Sequence, residues 1–421
     1  MSVFSVKAPP SAKGLGSSPS LLRQLNTAAV LRAIRDGGSV TRPEVGRRTG
    51  LSKPTVKYVV EALLADGYIL ESLPDVDARP RRSGPRANVL SFRSDIGHVL
   101  GLDIGANKII ALVTDLAGRI IASERQHCSD ARDGEVVLAA ASEVALRALE
   151  RAGVAADELS AAAVATPGVI ELSSGLITLA PQLPGWEGLP LASRLAASLG
   201  RTVLVDNEVH LALLAERWRG AIRGFDDVIL VQIGVGIGCG ILIGGKLYRG
   251  ATGAAGEIGY LPIVDNDEAP VDNMGPFEHA AGGGAFARLG RQAAAGPAGA
   301  LLRELARGDP GAISAEIVFA AAVRGDAAAQ GVVDELVRRL ARGIASAIAL
   351  LNPAIVVIGG GVSKAGEALL ARLERAVADL VPVAPQFALS TLGDDAPALG
   401  AVKLALEDAE ASLLGLAPEA P

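Results

Sequence analysis

The chain of 421 residues has only two cysteines, Cys128 and Cys239, far apart in sequence. Two thiols build neither a disulfide framework nor a multi-cysteine zinc cluster, which fits a reducing cytoplasm. An uncharged apolar run of membrane-spanning length is also missing, so no transmembrane segment is expected. The first residues lack the apolar core of a signal peptide. Net charge is small overall, with 40 Lys+Arg against 46 Asp+Glu, a formal −6. What is present is half hydrophobic and one-fifth charged. That composition excludes a disordered chain, and the length suggests two or three domains.

The small net charge hides an uneven one. Residues 1–94 hold 15 Lys+Arg and 7 Asp+Glu, a net of +8, and the remainder carries −14. A basic head on an acidic body predicts a polyanionic partner for the head alone. Residues 1–19, rich in Ser, Gly and Pro, read as a flexible tail. Residues 20–94 read as a small head domain. In 95–421, Gly-punctuated apolar strands alternate with Ala-rich helices, clearest at 136–152 and 327–351, which predicts an α/β body.

Three helices are expected in the head. The first runs from about Thr27 to Arg35 and stops at Gly37-Gly38. The second starts at Thr41, whose spacing to Glu44 is that of a capping box, and ends at Gly50. Ser52 caps the third. Pro43 and Pro54 fall in first turns, where a missing N–H costs nothing. Val56, Val59, Val60, Leu63 and Leu64 share one face of the third helix, leaving Lys53, Thr55, Lys57, Tyr58 and Glu61 outside. Strand candidates follow at Tyr68 to Leu70 and Asn88 to Phe92, joined by a basic, turn-rich stretch. The order is that of a winged helix-turn-helix. The outer face of the third helix, with Lys53, Thr55, Lys57 and Tyr58, offers hydrogen-bonding groups to base edges. Arg47 and Arg48, with Arg79, Arg81, Arg82 and Arg86 in the wing, suit phosphates or a minor groove.

The body has three Gly-rich turns. Asp103-Ile-Gly-Ala-Asn107 joins two strands; Gly105 admits an anion close to the backbone, Asn107 can donate to a phosphate, and Asp103 can hold Mg²⁺. Gly234, Gly236 and Gly238 punctuate a second strand-turn-strand. No helix opens after them, so a dinucleotide fingerprint is excluded; a P-loop match at Gly240 to Lys246 fails because Leu247 stands where Ser or Thr is needed. A third turn follows the buried strand Val356 to Ile358. Between them lie Asp206-Asn207-Glu208, Glu257, Tyr260, Glu278 and Trp186. Carboxylates and an amide beside aromatic surface suit a polyhydroxylated ligand.

Taken in order, these segments resemble the ROK family (repressor, open reading frame, kinase) from about Leu21 to Leu406. The resemblance rests on Gly50-Leu-Ser-Lys-Pro-Thr-Val56, Asp103 with its turn, Thr166-Pro-Gly168, Leu183-Pro-Gly-Trp186 and Asp206-Asn-Glu208. It continues through Gly234 to Gly240, Arg249-Gly-Ala-Thr-Gly-Ala-Ala-Gly-Glu-Ile-Gly259, Asn352-Pro353, Ile358 to Gly361 and Leu399-Gly-Ala401. It implies an actin-like, two-lobed sugar-kinase fold behind the winged helix-turn-helix, with the ligand cleft between the lobes. It also implies sugar contacts at Asn207, Glu257 and Glu278. Several positions depart from the family's kinases. Glu208 replaces the general-base Asp, Val235 replaces a Thr of the second phosphate loop, and Tyr260 replaces a His. The zinc loop should lie between Tyr260 and Glu278, yet Pro262 to Phe277 has no cysteine.

The expectation is a DNA-binding regulator of carbohydrate metabolism, a repressor. A sugar in a catalytically idle cleft, held by Asn207, Glu208, Glu257, Tyr260 and Glu278, would modulate it, with Trp186 as a second aromatic surface. Its partners are an operator duplex and a sugar effector, and it works as a homodimer or homotetramer. No catalytic residue, metal or cofactor is expected. The alternative is an active sugar kinase with a DNA-binding head, which would use Glu208 as base, with ATP and Mg²⁺ at Asp103. In a third reading, Tyr260 fills the sugar space and the cleft binds nothing.

Overall fold

The computed structural model describes residues 19–73, 88–105, 107–128, 133–171, 174–180, 183, 185–262 and 274–415. The expected tail, apart from Pro19, and the wing residues Arg79, Arg81, Arg82 and Arg86 lie outside them. The chain divides into two units: residues up to Ile96 with those from Asp408, and Gly97–Glu407.

In the first unit, α1 (Pro19–Arg35) begins eight residues before the expected Thr27. β1 (Ser39–Thr41), α2 (Arg42–Thr49), α3 (Lys53–Ala65), β2 (Ile69–Ser72) and β3 (Val89–Phe92) follow. At the start of α2, Glu44 Oε2 accepts from the Thr41 amide at 2.7 Å and its hydroxyl at 2.9 Å. Ser52 Oγ accepts from the Thr55 amide at 3.3 Å, capping α3. Val30, Leu31, Ile34, Val45, Val56, Val59, Val60 and Leu63 form one buried core with Ile69 and Leu90 of the sheet. Each such side chain contributes about 1.5–3 kcal/mol when fully buried. The sheet has the order β1-β3-β2; β2 pairs β3 antiparallel, Leu70 opposite Ser91. β1 was not foreseen, because three residues are too short to show a period. The end of the chain's last helix belongs to this unit. There, Glu410, buried, accepts from Arg32 Nε and Arg35 Nη1, each at 2.5 Å.

The second unit holds two sheets built alike. In the first sheet, β4 (His98–Ile104), β5 (Lys108–Asp115) and β6 (Ile120–His127) run antiparallel. α4 (Gly134–Ala152) then leads to β7 (Leu159–Thr166), parallel to β4. A two-stranded ribbon, β8 (Val169–Ile170) with β9 (Ile177–Leu179), and α5 (Leu191–Leu199) precede β10 (Val203–Asn207), parallel to β7. After α6 (Glu208–Arg219) the second sheet repeats the pattern. β11 (Val228–Ile233), β12 (Ile237–Ile243) and β13 (Lys246–Leu247) are antiparallel. Five helices follow: α7 (Pro276–Ala281), α8 (Gly283–Ala295), α9 (Ala300–Leu305), α10 (Ala315–Val323) and α11 (Ala327–Leu351). β14 (Ile355–Gly359) pairs parallel to β11; then come α12 (Glu367–Ala378), β15 (Gln386–Leu389), parallel to β14, and α13 (Ala396–Leu413). The orders are β10-β7-β4-β5-β6 and β13-β12-β11-β14-β15.

The two glycine turns therefore occupy equivalent places, between the first and second strands of each sheet. α6 leaves the first sheet at β10 and packs Val209 and Leu213 against the core of the second. Its backbone meets α13 where Gly400 has no side chain; a Cβ there would come within 1.8 Å of Leu211 O. Among the described residues, no helix is long and apolar enough to cross a membrane.

Candidate functional site

On the head, Lys53, Lys57, Tyr58, Arg47 and Arg48 are exposed and Thr55 is half-buried. Lys57 Nζ and Arg47 Nη2 approach Glu61 and Glu44 only to 3.8 Å. Arg48 is less free than expected, since its Nη1 donates to Ala33 O at 3.4 Å. Thr55 Oγ1 lies 2.8 Å from Ser52 Oγ, so the cap and the outer face share a hydroxyl. Arg23 was not singled out in the sequence. Its guanidinium sits 5.8 Å from the Tyr58 ring centre, adding a cation beside the outer face of α3. The missing signal was the full length of α1.

In the second unit, a cavity of about 580 Å³ opens between the two sheets, within the range that holds a small ligand. Asp103, Gly105, Asn107, Asn207, Glu208, Gly234, Gly236, Gly238, Glu257, Tyr260 and Glu278 all line it. Asn207 caps α6: its Oδ1 accepts from the Val209 amide at 2.8 Å, and Nδ2 donates to Gly168 O at 2.8 Å. These bonds lock the rotamer and place Glu208 in the first turn of α6. Glu278 Oε2 accepts from the Ile237 amide at 3.1 Å, tying α7 to the second glycine turn. Tyr260 is 39 % exposed on the wall and leaves the cavity open.

The carboxylates strain one another electrostatically. Asp103 is 1 % exposed, and its Oδ1 has no hydrogen-bond partner among the described residues. Burial pushes its carboxyl up to about 6, against the pull of Lys108, whose Nζ is 3.7 Å from Oδ2. Glu208 goes up to about 8, through desolvation first and then the negative charge of Asp103. Glu257 is raised by burial and by Glu278.

The glycine turns differ from expectation in detail. The Gly105 amide donates to Lys108 O at 2.9 Å, and the Gly234 amide to Gly236 O at 2.9 Å, so neither N–H is free for an anion. Gly238 lies inside β12, where its bare backbone admits Val209. Val235 is 50 % exposed at the tip of its turn. Two lysines missed in the sequence also line the cavity. Lys108 Nζ donates to Asp394 O at 2.6 Å, and Lys364 Nζ is 3.1 Å from Asp394 Oδ2. Asp394 is distant in sequence from both, so no local pattern announced the group.

One expectation is overturned. Trp186 is 0 % exposed and belongs to the core of the first sheet with Leu183, Leu189 and Leu191. Burial of its large ring outweighed exposure to a ligand. As for zinc, most of the Pro262–Phe277 stretch, residues 263–273, lies outside the described residues. Among the described residues, no three His, Cys, Asp or Glu are grouped to hold a metal. Cys239 is buried, its thiol pushed up to about 12, and residues 262–277 contain no cysteine.

Comparison with known proteins agrees with this architecture. The ROK family model matches residues 99–408, and a winged helix-turn-helix DNA-binding model matches 26–69. The chain belongs to the ROK family. A xylose repressor of Caldicellulosiruptor bescii is 27% identical over 394 residues, 92% of this chain and 97% of the repressor. A ROK glucokinase from Streptomyces griseus, solved with glucose and AMPPNP, is 31% identical with a TM-score of 0.66, over 73% of this chain and 99% of its own. A ROK transcriptional regulator homologous to the E. coli MLC protein shares the fold over 93% of this chain and 98% of its own, with a TM-score of 0.74 and 23% identity.

Proposed function

We propose that the protein is a sugar-responsive transcriptional repressor whose kinase-like cleft senses the effector. One observation carries the reading: a single chain joins an exposed, basic recognition helix to a cavity walled by Asn207, Glu208, Glu257 and Glu278. The head, through Lys53, Thr55, Lys57 and Tyr58, reads a half-site in the major groove, and Arg47 and Arg48 hold phosphates. A single such helix reads too few bases for specificity, so the working form is a homodimer or homotetramer. In the cleft, the carboxyls and amide take the hydroxyls of a sugar, with Tyr260 beside the ring. A ligand touching both sheets favours a closed arrangement by its extra contacts there. Closure changes the spacing of the heads in the oligomer, which the DNA helical turn fixes, and the repressor leaves its operator. A coupling of about 1–3 kcal/mol suffices, changing operator affinity by roughly 5- to 150-fold.

The kinase reading draws on Asp103 and Glu208 sharing the cleft. Against it stand Val235, which supplies no hydroxyl at the second turn, and Glu208, whose extra methylene moves the carboxylate from the place of the kinases' Asp. The test joins both readings. A monosaccharide screen by thermal shift, followed by titration of the best binder into an operator complex, should show release by wild type and a much weaker response by Glu257→Ala. Equal responses would sink the sensor. ADP release at about 1 per second or more with a hexose would establish the kinase instead.

A further inference from the structure

Asp206 lies near the end of β10, directly before Asn207 and Glu208, and its side chain is buried. Oδ2 accepts from Arg249 Nε at 3.0 Å and Nη2 at 2.7 Å. Oδ1 accepts from the Asn207 amide at 2.7 Å and is 3.0 Å from His210 Nδ1. Burial alone would push this carboxyl up, but His210 and Arg249 hold it below its ordinary value. A buried ion pair of this kind is sustained only when its polar groups find partners, and each Asp206 oxygen has two here.

The pair spans the two five-stranded sheets of the second unit. β10 is an edge strand of the first sheet, and Arg249 follows β13, an edge strand of the second. Arg249 also opens the loop that ends in Glu257. The Ala255 amide donates to Arg249 O at 3.1 Å, and His210 Nε2 is 3.4 Å from Ala255 O. At the far end, Gly256 has φ +92°, and a Cβ there would lie 1.7 Å from Cys239 O, so the loop is seated on β12 as well. Sequence neighbours of the ion pair on one side are Asn207 and Glu208; the loop it anchors on the other delivers Glu257. Neither Asp206 nor Arg249 is itself among the residues lining the cavity.

We propose that Asp206 and Arg249 are positioning residues that set the gap between the Asn207–Glu208 side of the cleft and the Glu257 side, and thereby effector affinity. The inference rests on the effector-binding reading above. A ligand that bonds to both sides gains most when they are already correctly spaced, because ordering a loose loop subtracts from the binding energy.

The experiment uses the full chain, with D-glucose, D-xylose and N-acetyl-D-glucosamine as calorimetric probes. For any probe that wild type binds, Arg249→Met should weaken binding about tenfold. Arg249→Lys should fall between, since an ammonium keeps the charge but not the fork. Operator affinity without sugar should be unchanged in both, which separates positioning from general damage. Equal sugar affinity in Arg249→Met overturns the proposal. Should that variant fail to fold, Arg249→Lys carries the same comparison, with wild-type affinity as the overturning result. If no probe binds wild type, the sugar reading fails and the ion pair is judged by amide exchange without sugar. Faster exchange across 254–260 in either variant, with the middle of α6 unchanged, supports the positioning role; unchanged loop exchange overturns it.

Discussion

In the head, Lys57 and Arg47 stand in water with their nearest carboxylates 3.8 Å away. In the cleft, Asp103, Glu208 and Glu257 crowd one another, and burial raises all three. The two regions use charge in opposite ways. Exposed cations cost little to keep and are free to exchange a weak partner for a phosphate or a base edge. Cleft carboxyls are partly withdrawn from water, and burial shifts each of them toward its protonated form. DNA recognition is therefore additive and salt-sensitive, whereas effector recognition depends on packing around each group.

The largest effect that sharpens this contrast is on stability. Glu216 is fully buried near the end of α6. Its Oε1 accepts from Ser390 Oγ at 2.6 Å and from the Thr391 and Leu392 amides at 3.0 and 3.1 Å; Oε2 accepts from the Ala221 amide at 2.7 Å. Glu216→Ala leaves these donors unpaired and should lower unfolding stability by about 3–5 kcal/mol. Glu61→Ala, on the exposed face of α3, should stay within about 0.5 kcal/mol. Urea unfolding of both variants checks the pair, and similar losses would break the comparison.

Next in size is operator affinity. Lys57→Ala should cost about 1–3 kcal/mol on the preferred operator and relax the choice of base. Arg47→Ala should weaken all duplexes more evenly and reduce the salt slope by about one. Titrations over a range of salt, on specific and scrambled duplexes, read both. If Lys57→Ala lost affinity evenly on the two duplexes, α3 would be a phosphate contact and not a reader.

The contrast also explains what could be read before the structure. The head was legible because its signals are local: caps at Thr41 and Ser52, Gly50, and the outer face of α3 all lie within a few residues of one another. The two-lobed α/β body and its cavity-lining set followed from ordered motifs. Trp186 was misplaced because an aromatic in a Gly-Pro loop reads equally as ligand wall or core plug, and only packing decides. Lys364 with Asp394, and Arg249 with Asp206, are pairs distant in sequence that carry no periodic mark. His210 was closer to hand: it stands four residues after Asp206, in the first turn of the helix that follows β10.

The smallest effect concerns protons. Glu208 has an ordinary value of 4.5 and is raised to about 8 in the fold. Between those values the folded chain holds a proton that the unfolded chain has released. Stability therefore falls as pH rises through this window, with a slope of at most about 1.4 kcal/mol per pH unit for one group. Asp103, raised from 3.8 to about 6, acts with the same sign but is largely spent above pH 6. Over the interval from pH 6 to 8 the contribution of Glu208 is read as the difference between wild type and Glu208→Gln. Wild type should lose melting temperature across it, and Glu208→Gln, which cannot ionise, should lose less. Glu61→Gln, on the exposed face of α3, is the control substitution and should keep the wild-type slope. Equal slopes in wild type and Glu208→Gln would mean that the cleft hydrates its carboxyls as the head does. The predicted result instead gives the cleft a carboxyl O–H donor at neutral pH, which the sugar complex proposed above would use to meet a sugar oxygen.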